Sequence, residues 1–302
     1  MTKVVISQVL MIFLLVGFGF VLKKIKLLND GFTKSSSDLI VYVTLPAMII
    51  SSMDRDFSSE VAKTSLQIFL LGAVMYACTT ILAYFFVSVK KFDEDQRGVY
   101  MYMIIFGNVG YLGYPVSAIL FGSIGVFYSA VFNIWFNLLT WTLGVSIMSR
   151  SKLSLSKILL NPGLISTLLG LLIFLTPLTI PTTVKSVLDS VGSMTTPLAM
   201  FLVGAFLAEA HLKDFIAKID LYFASILKLV VAPLMVYLCV KYLKTDSIVK
   251  MLPVMMAGMP SGVNTAIFAR MFNRDYKLAA QGVVLSTALS MISLPLLIVL
   301  IV

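Results

Sequence analysis

Long apolar runs separated by short charged segments form the dominant pattern of this 302-residue chain. A helix needs about 20 apolar residues to cross a bilayer, so runs of this length predict membrane-spanning helices. We predict ten of them, called spans 1 to 10, at residues 4–22, 36–53, 64–89, 98–121, 124–149, 158–176, 187–208, 220–243, 248–270 and 277–301. Span 1 is too long to be a removable signal peptide. The pattern therefore predicts an all-α membrane protein.

Two predicted spans contain residues that interrupt a helix. Span 4 carries Gly113-Tyr114-Pro115, and span 9 carries Gly258-Met259-Pro260. Proline lacks an N–H group and clashes with the carbonyl four residues earlier, and glycine weakens a helix. Non-helical backbone at membrane depth is tolerated only where it is buried in protein or lines a cavity. Two broken helices lining a common site are therefore one interpretation, and an ordinary pair of kinked helices is the other.

The interruptions belong to a wider internal repeat. The stretches DLIVYVTLP of span 2 and DSVGSMTTP of span 7 both place an Asp eight residues before a Pro, and they lie 151 residues apart. Gly19 and Gly170 have the same offset, whereas the two interruptions are 145 residues apart. These matches predict two five-helix repeats, at residues 1–150 and 151–302. Because five is odd, the second repeat is inverted, as in many secondary transporters, and the broken helices 4 and 9 cross near the midplane.

Charge and composition orient these spans in the membrane. Hydrophobic residues make up 59% of the chain and charged residues 12%, and the net charge is +9. Of the 23 Lys and Arg residues, fifteen flank odd-numbered connections and seven flank the amino terminus and the even-numbered connections. Since cytoplasmic connections are enriched in Lys and Arg, we expect both termini outside a cell (plasma) membrane. Basic residues at span ends do not indicate a nucleic-acid partner.

The interruptions predict a site for an anion. Each exposes the amino end of a half-helix, with free N–H groups and the positive end of the helix dipole. All fourteen acidic residues lie in connections or near span ends, whereas the core offers hydrogen-bond donors. The predicted substrate-binding residues are Asn108, Gly110, Tyr111, Gly113, Tyr114, Pro115, Pro260, Ser261, Gly262, Asn264 and Thr265, with Thr44, Asn133 and Asn137 as further candidates.

Several polar residues allow two interpretations. Lys228 lies about eight residues into span 8, where it either reaches back to the cytoplasmic interface or attracts an anion into the cavity. Asn133 and Asn137 share one face of span 5, where they either contact substrate or form hydrogen bonds between helices. Asp38 and Asp189 are interpreted as caps near the starts of spans 2 and 7.

Five stretches together resemble the auxin efflux carrier superfamily, in its bacterial branch of organic-acid permeases. They are YVTLPAMII, GNVGYLGYPV, NPGLISTLLG, VGSMTTPLAMFLVGAFL and GMPSGVNTAIFAR. The resemblance implies a scaffold domain of spans 1, 2, 6 and 7 and a mobile transport domain of spans 3–5 and 8–10. It also implies that Asn108, seven residues before Pro115, contacts a carboxylate. Bacterial relatives are associated with malate and malonate.

We therefore expect a secondary transporter that moves a small organic anion, a carboxylate, by alternating access. A ligand-responsive membrane sensor with the same fold is the alternative, and an enzyme is not expected because no nucleophile stands near a base. No cofactor or metal is expected, although half-helix ends leave room for a sodium ion. The expected partners are the organic anion and membrane lipid, and a homodimer is compatible with the sequence.

Overall fold

A computed structural model describes residues 2–149, 161–176, 179–209 and 219–301. Its α-helices are Thr2–Lys24, Asp30–Leu39, Leu45–Met53, Ser59–Val89, Glu94–Ile105, Tyr114–Leu139, Val145–Met148, Pro162–Leu175, Thr182–Ser193, Thr195–Glu209, Ile219–Ile226, Ala232–Val240, Ser247–Ala257, Asn264–Met271 and Tyr276–Ile301. The described residues contain no strand, so the all-helical prediction is confirmed. The predicted boundary between the repeats, at residues 150 and 151, lies outside the described residues.

Several helical stretches are long and apolar enough to cross a membrane. Among the described residues there are six, Gly31–Met53, Ser59–Val89, Val109–Met148, Thr182–Ala208, Ile219–Val240 and Tyr276–Leu300. Pro162–Leu175 and Ser247–Ala257 are apolar but shorter. This architecture is that of a multi-pass membrane protein.

The longest of these stretches turns back on itself at Gly122. This glycine has φ 67° and ψ −153°, a backbone conformation that other residues rarely adopt. The hydroxyl of Ser129 donates to that of Ser117 over 2.7 Å. Twelve residues of straight helix would separate these side chains by about 18 Å. The chain therefore reverses between spans 4 and 5 through a very short turn.

Three π-helical turns of the described chain each end two residues before a proline. They are Ile40–Thr44, Val109–Gly113 and Leu227–Val231, which precede Pro46, Pro115 and Pro233. A π turn shifts the hydrogen bonds to the fifth residue along, as in the bond from the Tyr114 N–H to the Val109 carbonyl. This widening accommodates the proline ring, which would clash in a regular helix. These prolines therefore lie inside helical stretches and do not end them.

The interpretation of Asp38 and Asp189 as helix caps is wrong. The helix of span 2 begins earlier than predicted, at Asp30, because the Asn29 side chain accepts the Phe32 N–H over 2.7 Å. Asp38 therefore lies near the end of that helix. Asp189 lies inside Thr182–Ser193 and accepts a hydrogen bond from the Ser51 hydroxyl. It thus joins span 7 to span 2.

Glycines let two pairs of helices approach closely. A Cβ atom on Gly19 would collide with the backbone of Phe201, and one on Gly170 would collide with the side chain of Met53. Span 1 therefore packs directly on span 7, and span 6 packs directly on span 2. Any larger side chain at either glycine would push these pairs apart.

Candidate functional site

The two interruptions lie against each other in the interior. The Asn108 N–H donates to the Pro260 carbonyl over 2.6 Å, and the Gly262 N–H donates to the Phe106 carbonyl over 3.0 Å. These bonds form one isolated antiparallel bridge. The bridge pairs backbone N–H and carbonyl groups that have no partner within a helix. Leaving such groups unpaired in a dry interior would be energetically costly. The bridge therefore joins the two non-helical segments directly to each other.

The first interruption lies at Phe106–Asn108, which corrects the position inferred from Pro115. Helix Glu94–Ile105 ends just before it. Pro115 lies further along, inside the helical stretch that follows, where the π turn Val109–Gly113 accommodates its ring. Across the bridge, Phe106 lies opposite Gly262 and Asn108 lies opposite Pro260.

A cavity of about 900 Å³ adjoins this bridge. Its wall includes eight of the predicted site residues, Asn108, Gly110, Tyr111, Tyr114, Asn133, Asn137, Gly262 and Asn264. At one end, Lys34, Asp38 and Met271 are exposed and lie beside odd-numbered connections, whereas Asn108 and Asn133 are buried. The cavity therefore opens towards the odd-numbered connections and ends at the bridge.

Three helix amino ends line this cavity. They belong to the helical stretches that begin after Asn108, after Val263 and after Asn161. The amino end of a helix presents unpaired N–H groups and a partial positive charge. No side chain caps the helix Asn264–Met271, and the N–H groups of Thr265 and Ala266 donate to the carbonyls of Gly262 and Val263. The arrangement favours a negatively charged ligand.

The Asn108 side chain is arranged as a donor. Its amide oxygen accepts the Tyr111 N–H over 3.2 Å and so caps the π turn Val109–Gly113. Its amide nitrogen bonds to none of the described residues, and the side chain lines the cavity. An amide nitrogen carries two donors. Because the oxygen is occupied by the cap, the free N–H groups are available to a ligand.

Asn133 and Asn137 also line the cavity, from span 5. Asn133 is 2% exposed, and neither its amide nitrogen nor its amide oxygen has a hydrogen-bond partner of normal geometry among the described residues. A buried polar group without a partner is costly. A ligand in the cavity would supply that partner, and the Tyr114 side chain lies close enough to Asn133 to interact with it, so both interpretations of Asn133 stand.

The remaining predicted site residues lie outside the cavity wall. Ser261 is buried behind the bridge, where its hydroxyl donates to the Met103 carbonyl over 3.0 Å and its N–H donates to the Ser286 hydroxyl over 3.1 Å. Gly113 packs against Met256. The others are Thr44, Pro115, Pro260, Thr265 and Lys228. None of these residues lines the cavity.

Lys228 lies directly behind the bridge. It is 1% exposed, and its ammonium bonds to none of the described residues. A Cβ atom on Gly107 would lie 3.3 Å from Lys228 Nζ. The side chain therefore does not reach back to the membrane interface, and that interpretation is wrong. It places its amino group beside the bridge, and it does not line the cavity.

Two charged cavity residues were missed from the sequence. Lys34 was assigned to a connection, and Asp38 was assigned to a cap, yet both line the cavity near its mouth. Their spacing of four residues would have placed them on one helix face had the helix start at Asp30 been recognised. They are the charged residues among those that line the cavity, so its wall has no net charge.

Comparison with known proteins identifies the family. A family model described as "Membrane transport protein" matches residues 4–157 and 149–298, which together span nearly the whole chain. The chain belongs to this family, that of the auxin efflux carriers. The resemblance read from the five sequence stretches is thereby confirmed.

Members of this transporter family from archaea and bacteria are similar to the chain along most of their length. An uncharacterized transporter of Methanocaldococcus jannaschii is 24% identical over 300 residues, covering 95% of this chain and 96% of that protein. One of Methanothermobacter thermautotrophicus is 27% identical and covers 96% of each chain. A Rhizobium meliloti protein named "Putative malonate transporter" is 22% identical and covers 83% of this chain and 81% of its own length.

Replacing Gly262 by alanine should loosen the bridge. A Cβ atom there would lie 3.1 Å from the Gly107 carbonyl oxygen, and a backbone atom cannot move aside easily. Overpacking of this kind costs about 1–2 kcal/mol. Gly110→Ala is the matched control, because Gly110 lines the same cavity but has open space around it. Thermal unfolding of the purified variants should show a lower midpoint for Gly262→Ala than for Gly110→Ala, and equal midpoints would contradict the geometry.

Proposed function

We propose that this family member is a secondary transporter that moves a small organic anion, a carboxylate, through the cavity at the bridge by alternating access. The observation that carries this proposal is the convergence of three helix amino ends on one cavity lined by free amide donors. A carboxylate accepts several hydrogen bonds at once, and bonds to a charged group are stronger than neutral ones.

The relative named "Putative malonate transporter" supports carboxylates as the class of transported molecule. A dicarboxylate would place one carboxylate at the bridge. Lys34 at the mouth could then contact the second carboxylate, since both residues border the same cavity. We accordingly expect malonate to be carried better than acetate.

The packing supports the proposed ten-span inverted repeat. In an inverted repeat, span 1 is equivalent to span 6 and span 7 is equivalent to span 2. The contact between spans 1 and 7 should then resemble the contact between spans 6 and 2. Both pairs pack through a glycine, at Gly19 and at Gly170. The two bridge bonds likewise exchange donor and acceptor between the interruptions. In this arrangement both termini lie outside, and the cavity faces the cytoplasm.

Flux measurements test the proposal. The purified chain in liposomes should take up labelled malonate in a saturable manner, and unlabelled malonate should compete better than acetate. Because Asp38, the acidic residue among those that line the cavity, is exposed at its mouth and does not lie in its buried part, uptake should follow the anion gradient and the membrane potential. Strict dependence on a proton gradient at clamped potential would contradict this coupling. Absence of flux and of any thermal stabilisation by mono- or dicarboxylates would refute the proposal.

A further inference from the structure

Arg55 makes several contacts on the side of the even-numbered connections, opposite the cavity mouth. This residue follows span 2, and its Nε donates to the Ser52 carbonyl over 2.9 Å, which fixes the guanidinium near the end of its own helix. Its Nη2 donates to the Ser123 hydroxyl over 3.1 Å. The guanidinium carbon lies 5.3 Å from the centre of the Phe127 ring. One side chain thus joins the end of span 2 to the turn between spans 4 and 5.

Aromatic rings extend the same contact. The rings of Phe127 and Phe174 meet edge to face with their centres 5.1 Å apart, and Phe57 lies 5.5 Å from Phe174. Phe174 belongs to span 6 and is 2% exposed, so this packing excludes water. Spans 2, 5 and 6 therefore meet in a compact layer on the side of the even-numbered connections.

The residue before Arg55 anchors this layer to span 7. Lys185 forms an ion pair of 2.8 Å with the Asp54 carboxylate and donates to the Asp54 carbonyl over 3.1 Å. The Ile180 N–H donates to the same carboxylate over 3.3 Å. Partial burial would raise the pKa of the Asp54 carboxyl, but Lys185 and Ile180 outweigh it and hold that pKa below its ordinary value. Asp54 is thus a charged anchor at neutral pH.

We propose that Arg55, Ser123 and Phe127 form a latch that keeps the even-numbered face closed while the cavity is open on the opposite face. This inference rests on the proposed alternating access, in which spans 2, 6 and 7 belong to the scaffold and span 5 to the moving part. The Asp54 anchor ties Arg55 to the scaffold, and the other two residues belong to the moving part. Arginine suits this position because its planar group donates in two directions and stacks on a ring. Opening of the even-numbered face requires that both contacts break.

Cysteine accessibility tests the latch without knowledge of the substrate. Ser52 is 4% exposed and contributes its carbonyl, not its side chain, to the Arg55 contact, so Ser52→Cys is a suitable reporter. It is introduced into a full-length chain carrying Cys78→Ala and Cys239→Ala and reconstituted in nanodiscs. A polar maleimide should label this reporter about tenfold faster when Arg55 is replaced by Gln, a population shift of ~1.4 kcal/mol. Arg55→Lys keeps the charge but loses the planar guanidinium group. Its labelling rate should lie between the rates measured with Arg55 and with Arg55→Gln.

Two controls separate gating from general loosening. Lys244→Gln removes a positive charge from an exposed residue of another even-numbered connection, and it should leave labelling unchanged. A second reporter, Ser225→Cys, is fully buried in span 8 and should remain unlabelled in every variant. Faster labelling at both reporters would indicate unfolding and would count against a latch.

The comparison requires folded, monodisperse protein. The proposal would be overturned if the Ser52→Cys reporter were labelled at the same rate with Arg55 present and in the Arg55→Gln variant. If Arg55→Gln does not fold, Ser123→Ala removes only the hydroxyl acceptor and decides the question by the same measurement. The outcome is also distinct from failure of the proposed function, because labelling needs no transported anion. A chain that carries no carboxylate can still show the latch, and a carrier of carboxylates can lack it.

Discussion

Replacing Asn108 by alanine should weaken carboxylate binding at least about tenfold. The amide nitrogen of Asn108 faces the cavity without a protein partner among the described residues. A hydrogen bond to a charged group contributes about 1.5–3 kcal/mol, and each 1.4 kcal/mol is a factor of ten in affinity. Alanine removes both donors. The measurement is malonate affinity of the purified variant by isothermal titration calorimetry, with initial flux in liposomes as a second readout.

A matched variant separates ligand binding from capping, because Asn108 also caps the π turn Val109–Gly113. Loss of a cap alone costs about 0.5–2 kcal/mol of stability. An ionised Asp accepts the same N–H bond but donates none. Asn108→Asp should therefore keep more thermal stability than Asn108→Ala, yet bind malonate no better. Recovery of affinity in Asn108→Asp would show that the residue acts only through the cap.

Normal binding by Asn108→Ala would move the search along the cavity wall. Asn133 and Asn137 come next, because both line the same space and Asn133 is buried without a hydrogen bond of normal geometry among the described residues. Thr44 was the third candidate from the sequence, but it does not line the cavity. The bridge would then be a structural support, and the ligand would lie nearer to span 5.

Apolar run length and helix-breaking residues predicted where most helices of this chain lie, because the membrane allows few other solutions. They did not predict where the first helix breaks. Proline is the strongest sequence signal for a break, yet Pro115 is absorbed by a π turn, and the break lies earlier at Phe106–Asn108. The bridge bonds decide this position, and they depend on backbone geometry that any residue type can adopt.

The cavity was predicted in its buried part and missed at its mouth. Asn108 and Asn264 flank helix-breaking residues, so sequence alone pointed to them. Lys34 and Asp38 look like ordinary residues at the edge of a span, and only the helix start at Asn29 and Asp30 brings them to the wall. The Arg55 contact was also missed, since its partners are distant in sequence. Polar contacts between distant segments leave no periodic signal.

Replacing Lys228 by methionine should lower carboxylate affinity while preserving or raising stability. The ammonium is buried without a side-chain partner among the described residues, which is unfavourable for folding. It lies beside Gly107, next to the carboxyl end of helix Glu94–Ile105, whose dipole favours a cation. Methionine fills a similar volume without the charge, and replacing buried charges by apolar side chains is often neutral or stabilising.

The loss of affinity follows from the position of the charge behind the bridge. Gly107 lines the cavity on one face and adjoins Lys228 Nζ on the other. Two opposite unit charges about 7 Å apart attract each other by about 2 kcal/mol at an effective dielectric constant of about 20, and we expect a gain of this order for a carboxylate bound at the bridge. That energy corresponds to about a thirtyfold change in affinity.

Lys228→Arg is the control for charge, because arginine stays protonated but fills the space differently. If the field of the cation matters, the arginine variant should bind malonate better than the methionine variant, even where its midpoint of thermal unfolding is lower. Affinity that is unchanged in Lys228→Met, together with a lower unfolding midpoint, would show that the lysine only supports the fold. Opposite changes in stability and affinity would instead identify a charge that destabilises the protein because the ligand requires it.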